Sequence, residues 1–327
     1  MTRRLGALLA SLVLVAGVAP WLAPYNPESR HNDFMHAPPM QPHILRDGSV
    51  RAPFVYSISL ADRVRQDYVQ NRATTQPLPW FGDSQAPPVF LIGADSFGRD
   101  LLSRLLHGAR VTISLALAAV LGAVILGVIV GSLAGYRGGW LDELAMRTAD
   151  FVVVLPVIYV VLLLRAVLPL VLPAATTFLL MAAIFALVGW PFVARGVRGI
   201  VAAERDREYV VAAQSLGASS WRIMSRHLLP SCAGYLLVQA TLLLPAFILA
   251  EATLSYVGLG FPDRVPTWGT MLREAANVNA MTRFPWTLAP AGAIFFVVLT
   301  ANVILQSDKI NLPGTSLRDT ETQRNPL

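Results

Sequence analysis

The sequence is poor in lysine, cysteine and charge, and each shortage excludes a class of protein. Its one lysine, Lys309, lies in Gln306-Ser307-Asp308-Lys309-Ile310 with no glycine before it. A loop that cradles nucleotide phosphates needs Gly-x-x-x-x-Gly-Lys-Ser/Thr, so the chain is not itself a P-loop ATPase. The one cysteine, Cys232, excludes an internal disulfide and any multi-cysteine metal site, and it reads as a small apolar filler. Charged residues make up only 14% of the 327 positions, while apolar ones make up 54%. Ordinary soluble domains carry roughly a quarter charged residues. The balance excludes a water-soluble globule and a disordered chain, and points the apolar residues toward lipid.

What charge there is has a basic excess, 26 residues against 20 acidic, for a net charge of +6. In so apolar a chain this is read against the membrane, where arginine concentrates on the cytoplasmic side, rather than against nucleic acid.

A bilayer core about 30 Å thick requires roughly 20 apolar residues in a helix. Six stretches meet that length: Leu5 to Leu22, Val111 to Gly135, Phe151 to Leu172, Thr176 to Val193, Tyr235 to Tyr256 and Ala289 to Leu305. Backbone groups in lipid must bond within their own segment, so the expected fold is an all-α integral membrane protein. Arg3 and Arg4 precede the first span, Arg137 and Arg147 lie between the second and third, and Arg195, Arg198, Arg205, Arg207, Arg222 and Arg226 lie between the fourth and fifth. With both termini cytoplasmic, these short basic loops all face the cytoplasm. The first span has a signal-like basic start, but its apolar run continues past Pro20 through Leu22, which favours an uncleaved anchor.

The expected organisation is a transmembrane helix at 1–22, an extracytoplasmic proline-rich segment at 23–90, a five-helix transmembrane domain at 91–305 and a cytoplasmic tail at 306–327. Ten of the 23 prolines lie between Pro24 and Pro88, which forbids a continuous helix there. An irregular cap is expected, with one amphipathic turn around Leu60, Val64 and Tyr68. His31, His36 and His43 lack metal-ligand spacing and read as solvated residues, so no metal site is assigned.

The loop after the fourth span, about 194–230, is the most informative. Tyr209, Ala212, Ala213 and Leu216 recur at helical spacing on one face, and Gly217 supplies the left-handed residue that ends a helix. Ser219 or Ser220 can cap the next helix. A face with two alanines admits close approach by a partner's backbone, although an interfacial helix without a partner fits the same periodicity.

Ala212-Ala213, Gly217 and Leu229-Pro230 resemble the EAA loop of binding-protein-dependent ABC transporter permeases. Leu91-Ile92-Gly93-Ala94-Asp95-Ser96-Phe97-Gly98-Arg99-Asp100 is similar to the Gly-Thr-Asp-x-x-Gly-Arg-Asp element of their dipeptide, oligopeptide and nickel branch. Gly189-Trp190-Pro191, Leu254 to Gly260 and Pro266-Thr267-Trp268-Gly269 follow in the expected order, so the resemblance covers roughly residues 90 to 305. It is to the C-type permease subunit.

This resemblance implies an inner-membrane importer subunit of a bacterial or archaeal cell. A second permease would complete the pathway for peptides or a related solute such as nickel, and an extracytoplasmic substrate-binding protein would deliver the cargo. Two ATPase subunits would bind the ATP, leaving this chain without cofactor or catalytic residues. It also implies that Glu208, Tyr209, Ala212, Ala213, Leu216, Gly217, Leu229 and Pro230 form the ATPase-coupling surface. Val211 departs from the pattern, standing where the family usually has glutamate, and Glu208 one turn earlier is a substitute.

Two features stand apart from the loop. Gly127, Gly131 and Gly135 continue a four-residue repeat from Ala119 and Ala123, which permits close helix packing within the subunit or against a second permease. Glu251 lies in an apolar run, facing either the pathway or a structural hydrogen-bond network near the headgroups. Arg165 reads as a snorkelling residue. The competing functions are a membrane-embedded enzyme, which would need convergent catalytic groups at membrane depth, and a receptor or scaffold.

Overall fold

The computed structural model describes residues 2–46, 49–80, 87–156, 159, 172–276 and 278–310. Its helices are α1 (Thr2–Leu22), α2 (Leu101–Arg137), α3 (Gly139–Val154), α4 (Ala174–Glu204), α5 (Glu208–Ser215), α6 (Ser220–Ile223), α7 (Leu229–Val257), α8 (Trp268–Glu274), α9 (Val278–Arg283) and α10 (Ala289–Ile310). Five helical stretches among the described residues are long and apolar enough to cross a membrane: Leu5–Leu22, Leu101–Arg137, Ala174–Glu204, Ser220–Val257 and Pro285–Ile304. They coincide with five of the six expected spans. The other, Phe151 to Leu172, and Arg165 within it lie mostly outside the described residues, as does the tail beyond Ile310.

Helix α2 organises the bundle. Its 37 residues span about 55 Å, well beyond a hydrocarbon core. It packs against α1, α3 and α7, and most extensively along α4. The small-residue stripe makes that last contact. A Cβ on Gly127 would stand 2.4 Å from Val193 Cβ, one on Gly131 2.5 Å from the Ala194 carbonyl oxygen, and one on Gly135 2.6 Å from that of Arg198. These glycines therefore pack within the subunit. Leu121, Ile125, Ile129 and Leu133 form a separate, exposed stripe on the same helix.

Gly131→Leu is expected to cost at least about 1–3 kcal/mol through overpacking and to reduce the folded yield in detergent. Gly199→Leu on α4, where no atom lies within 4 Å of the added Cβ, is the control that should behave as wild type.

The segment before α2 differs from its expectation. Instead of an irregular cap with a helical turn, it holds an antiparallel sheet of β1 (His43–Arg46), β2 (Ser49–Asp62) and β3 (Asp67–Pro77) in that order. Leu60 and Tyr68 are cross-strand partners, and Val64 is at the exposed tip of their hairpin. Prolines do forbid a helix here, but Pro77 ends its strand and Pro53 lies beside a register shift, positions where a lost N–H is tolerated. The Asp62 carboxylate accepts from the Val64 and Arg65 amides, closing a turn that contains no glycine. Ala37, Met40, Val55, Val89 and Phe90 form a small separate core beneath the sheet. His36 is half-buried and stacked on Phe284 at 4.2 Å, which corrects the expectation of a solvated residue.

Candidate functional site

The loop between α4 and α7 folds as two short helices around a tight turn. Arg207 precedes α5, and Glu208 in the first turn places a negative charge at the positive end of the helix. Gly217 takes φ +79°, and the Ala218 amide returns to the Ala213 carbonyl at 3.0 Å, closing the helix end. The Ser219 hydroxyl then caps α6 by accepting from the Arg222 amide. Five residues of π-helix, Met224–Leu228, lead into α7, with Pro230 in its first turn.

Of the face read from the sequence, Tyr209, Ala212 and Leu216 are exposed and Ala213 is half-buried. The Tyr209 hydroxyl donates to Glu204 at 2.7 Å. Glu208 and Gly217 are exposed, Leu229 is partly buried, and Leu216 and Trp221 project almost completely, at 89% and 77% exposure. The unit is anchored by Val210, which is fully buried yet lay outside the pattern drawn from Tyr209. Its burial explains why the opposite face is free.

Several arginines that served as orientation signals also lock the adjoining corner. Arg198 Nε donates to Asp142 at 2.9 Å, Arg195 donates to Asp150 at 2.5 Å, and Arg205 reaches the Gly135 carbonyl at 3.0 Å. The hydrogen bond from Arg198 holds the Asp142 carboxyl below its ordinary range. α2, α3 and α4 thus meet as one braced unit beside the loop.

The opposite end of α2 carries a buried ionic knot. Asp95 accepts from the Phe97 and Arg99 amides through Oδ1, and from Arg99 Nε (2.7 Å) and Arg104 Nη1 (2.5 Å) through Oδ2. Glu274, at the end of α8, accepts from Arg99 Nη2 at 2.7 Å and from Arg104 Nη2 at 2.9 Å. Arg104 is 1% exposed, so two guanidiniums and two carboxylates balance away from water. Gly98 allows the turn to form: it has φ +68°, and a Cβ there would lie 2.0 Å from the His31 carbonyl oxygen.

Asp100 caps α2 through Ser103, whose amide and hydroxyl reach one carboxylate oxygen at 2.8 and 2.6 Å, while the other oxygen is buried without a partner. Burial pushes its pKa up to about 6. Because the folded state holds this proton more tightly, the group's stabilising contribution is complete below its unfolded pKa near 4 and is lost as pH rises through about 6. Asp100→Asn keeps the acceptor without the ionisation. It is expected to match wild type at pH 4 and to melt higher at pH 7.5, as thermal unfolding in detergent will show.

Glu251 is enclosed within this chain. It is 0% exposed; Thr112 Oγ1 donates to it at 3.0 Å and Ser255 Oγ at 2.7 Å. Thr112 in turn accepts the Trp268 amide at 3.2 Å. The carboxylate therefore links α7 to α2 directly, and to the start of α8 through Thr112. Trp268 and Trp190 are buried at 3% and 7% exposure, and the Trp268 indole donates to the Leu105 carbonyl.

Residues 127–307 match the family described as "Binding-protein-dependent transport system inner membrane component". The chain is 41% identical over 228 residues to the oligopeptide transport system permease protein OppC of Bacillus subtilis (strain 168), covering 69% of each chain. It is 33% identical over 317 residues to the di/tripeptide transport system permease protein DppC of Pseudomonas aeruginosa (strain UCBPP-PA14), covering 96% of this chain and 86% of that one. A solved chain of the MetNI methionine ABC transporter, in inward facing conformations, is similar at TM-score 0.44 and 16% identity, over 62% of this chain and 95% of that one.

Proposed function

The chain belongs to the binding-protein-dependent transport system inner membrane components, and from that premise we propose that it is the permease subunit of an ATP-driven importer of peptides. The two relatives named for oligopeptide and di/tripeptide transport support that cargo class. A second permease completes the pathway, two ATPase subunits bind the ATP, and an extracytoplasmic binding protein delivers the peptide. Both termini and the 194–230 loop face the cytoplasm under the positive-inside rule.

One observation carries the coupling role: α5 and α6 form an anchored helical unit whose exposed face presents Tyr209, Ala212 and Leu216, with half-buried Ala213 at its edge, beside the braced α2–α4 corner. A short helix offered this way suits a groove on a partner. When nucleotide closes the ATPases, motion of this unit passes to α4 and α7, between which it is inserted.

Affinity purification of the tagged chain from its native membrane, followed by native mass spectrometry, tests the assembly. One second permease and two ATPase chains are the expected company. Recovery of the chain alone under mild detergent would count against it.

A further inference from the structure

We propose that a basic cavity at the pole opposite the coupling loop receives an acidic side chain of the external binding protein. The inference rests on the importer reading above. The cavity encloses about 450 Å³, and its lining includes Arg30, Phe97, Arg99, Arg264, Arg273 and Glu274. With Asp263 also in the wall, four guanidiniums face two carboxylates, leaving two positive charges in excess.

The arginines divide into a fixed floor and a free rim. Arg99 is 5% exposed and held by Asp95 and Glu274, and Arg273 pairs with Asp263 at 3.0 Å. Arg30 and Arg264 are exposed and make no ion pair among the described residues. Phe97, 44% exposed, lies between the two sets, with the Arg30 and Arg99 guanidiniums 5.1 and 4.7 Å from its ring centroid.

Free arginines beside an exposed aromatic have the composition of a protein interface hot spot. A guanidinium fork also matches a carboxylate in two hydrogen bonds. Asp95 and Glu274 hold Arg99, and Asp95 also accepts from the Phe97 amide, before any partner arrives, which lowers the ordering cost of association.

The location favours a protein partner over a free peptide, because the lining comes from the 30, 96–99 and 263–264 loops and the last turn of the short helix α8 rather than from the membrane-spanning helices. From Glu274 the contacts continue through α8 to Thr112 and Glu251. A docked carboxylate would thus sit at the end of a packed connection into α2 and α7.

The test uses the assembled transporter in lipid nanodiscs and the solute-binding protein of the same system as the probe, with binding kinetics measured at low and high salt. Arg30→Glu combined with Arg264→Glu is expected to weaken binding about tenfold or more at low salt, chiefly through slower association, and to flatten the salt dependence. Thermal stability should change only slightly, since both side chains are exposed, neither makes an ion pair among the described residues, and an exposed cation–π contact such as that of Arg30 on Phe97 contributes little. Wild-type affinity with wild-type salt dependence would overturn the inference and leave the importer reading standing. Lost peptide uptake with unchanged binding-protein affinity would assign the cavity to the substrate's carboxylate and also overturn it. If the wild-type complex binds no such protein, the importer reading fails and the inference fails with it.

Discussion

Arg104→Met is expected to destabilise the chain by about 3–5 kcal/mol, the cost of removing one partner from a buried ionic group. Arg104 is 1% exposed and supplies hydrogen bonds to both Asp95 and Glu274. Without it, the two carboxylates share Arg99 alone, with Asp95 buried and Glu274 only 15% exposed. The loss should appear as a low folded yield and a lower unfolding midpoint in detergent. Adding Asp95→Asn, which keeps the oxygen that accepts from the Phe97 and Arg99 amides, should recover part of it, because most of the penalty is the uncompensated carboxylate rather than a missing attraction. A single variant within about 0.5 kcal/mol of wild type, the range of an ordinary surface change, would mean that the knot does not hold this pole together.

Ala213→Arg is expected to act in the opposite manner, leaving the fold intact and removing function. Ala213 is only half-buried, α5 is anchored by Val210, and arginine is a good helix former. Stability should therefore stay within about 0.5 kcal/mol. A long charged side chain would nevertheless occupy the alanine face proposed to meet the ATPase. Peptide uptake by the reconstituted complex should fall more than about tenfold, as expected for a bulky charge at the centre of a packed interface. Val211→Glu provides the complementary variant: the position is 49% exposed, so a carboxylate fits without repacking and coupling should be retained or improved.

The transmembrane helices were legible because a span must be apolar over about 20 residues, a signal that needs no tertiary information. The turn of the coupling loop was equally local, since Gly217 and Ser219 are a helix stop and a helix cap in adjacent positions. The sheet before α2 was not legible. Both faces of β3 are largely exposed, so burial leaves little alternation to read, and its hairpin turns on Asp62 and on Gln66 at φ +54° rather than on glycine.

Long-range polar contacts were hidden for another reason. Asp95, Arg99 and Arg104 lie close together in sequence, but Glu274 is 170 residues from Arg104, and no spacing rule links them. Glu251 shows the same limit: an ionisable residue in an apolar run is conspicuous, but its hydrogen-bond partner Thr112 lies 139 residues away.

The scarcity of cysteine makes the central claim directly testable. With the buried Cys232 replaced by alanine, a cysteine at position 213 is the only thiol in the chain and can be probed in native membranes with a short bifunctional cross-linker. The coupling account predicts a cross-linked product joining this chain to an ATPase subunit, with none formed from a cysteine at Val64 on the outer hairpin. Cross-linking from position 64 but not from 213, or no ATPase adduct from either, would contradict it.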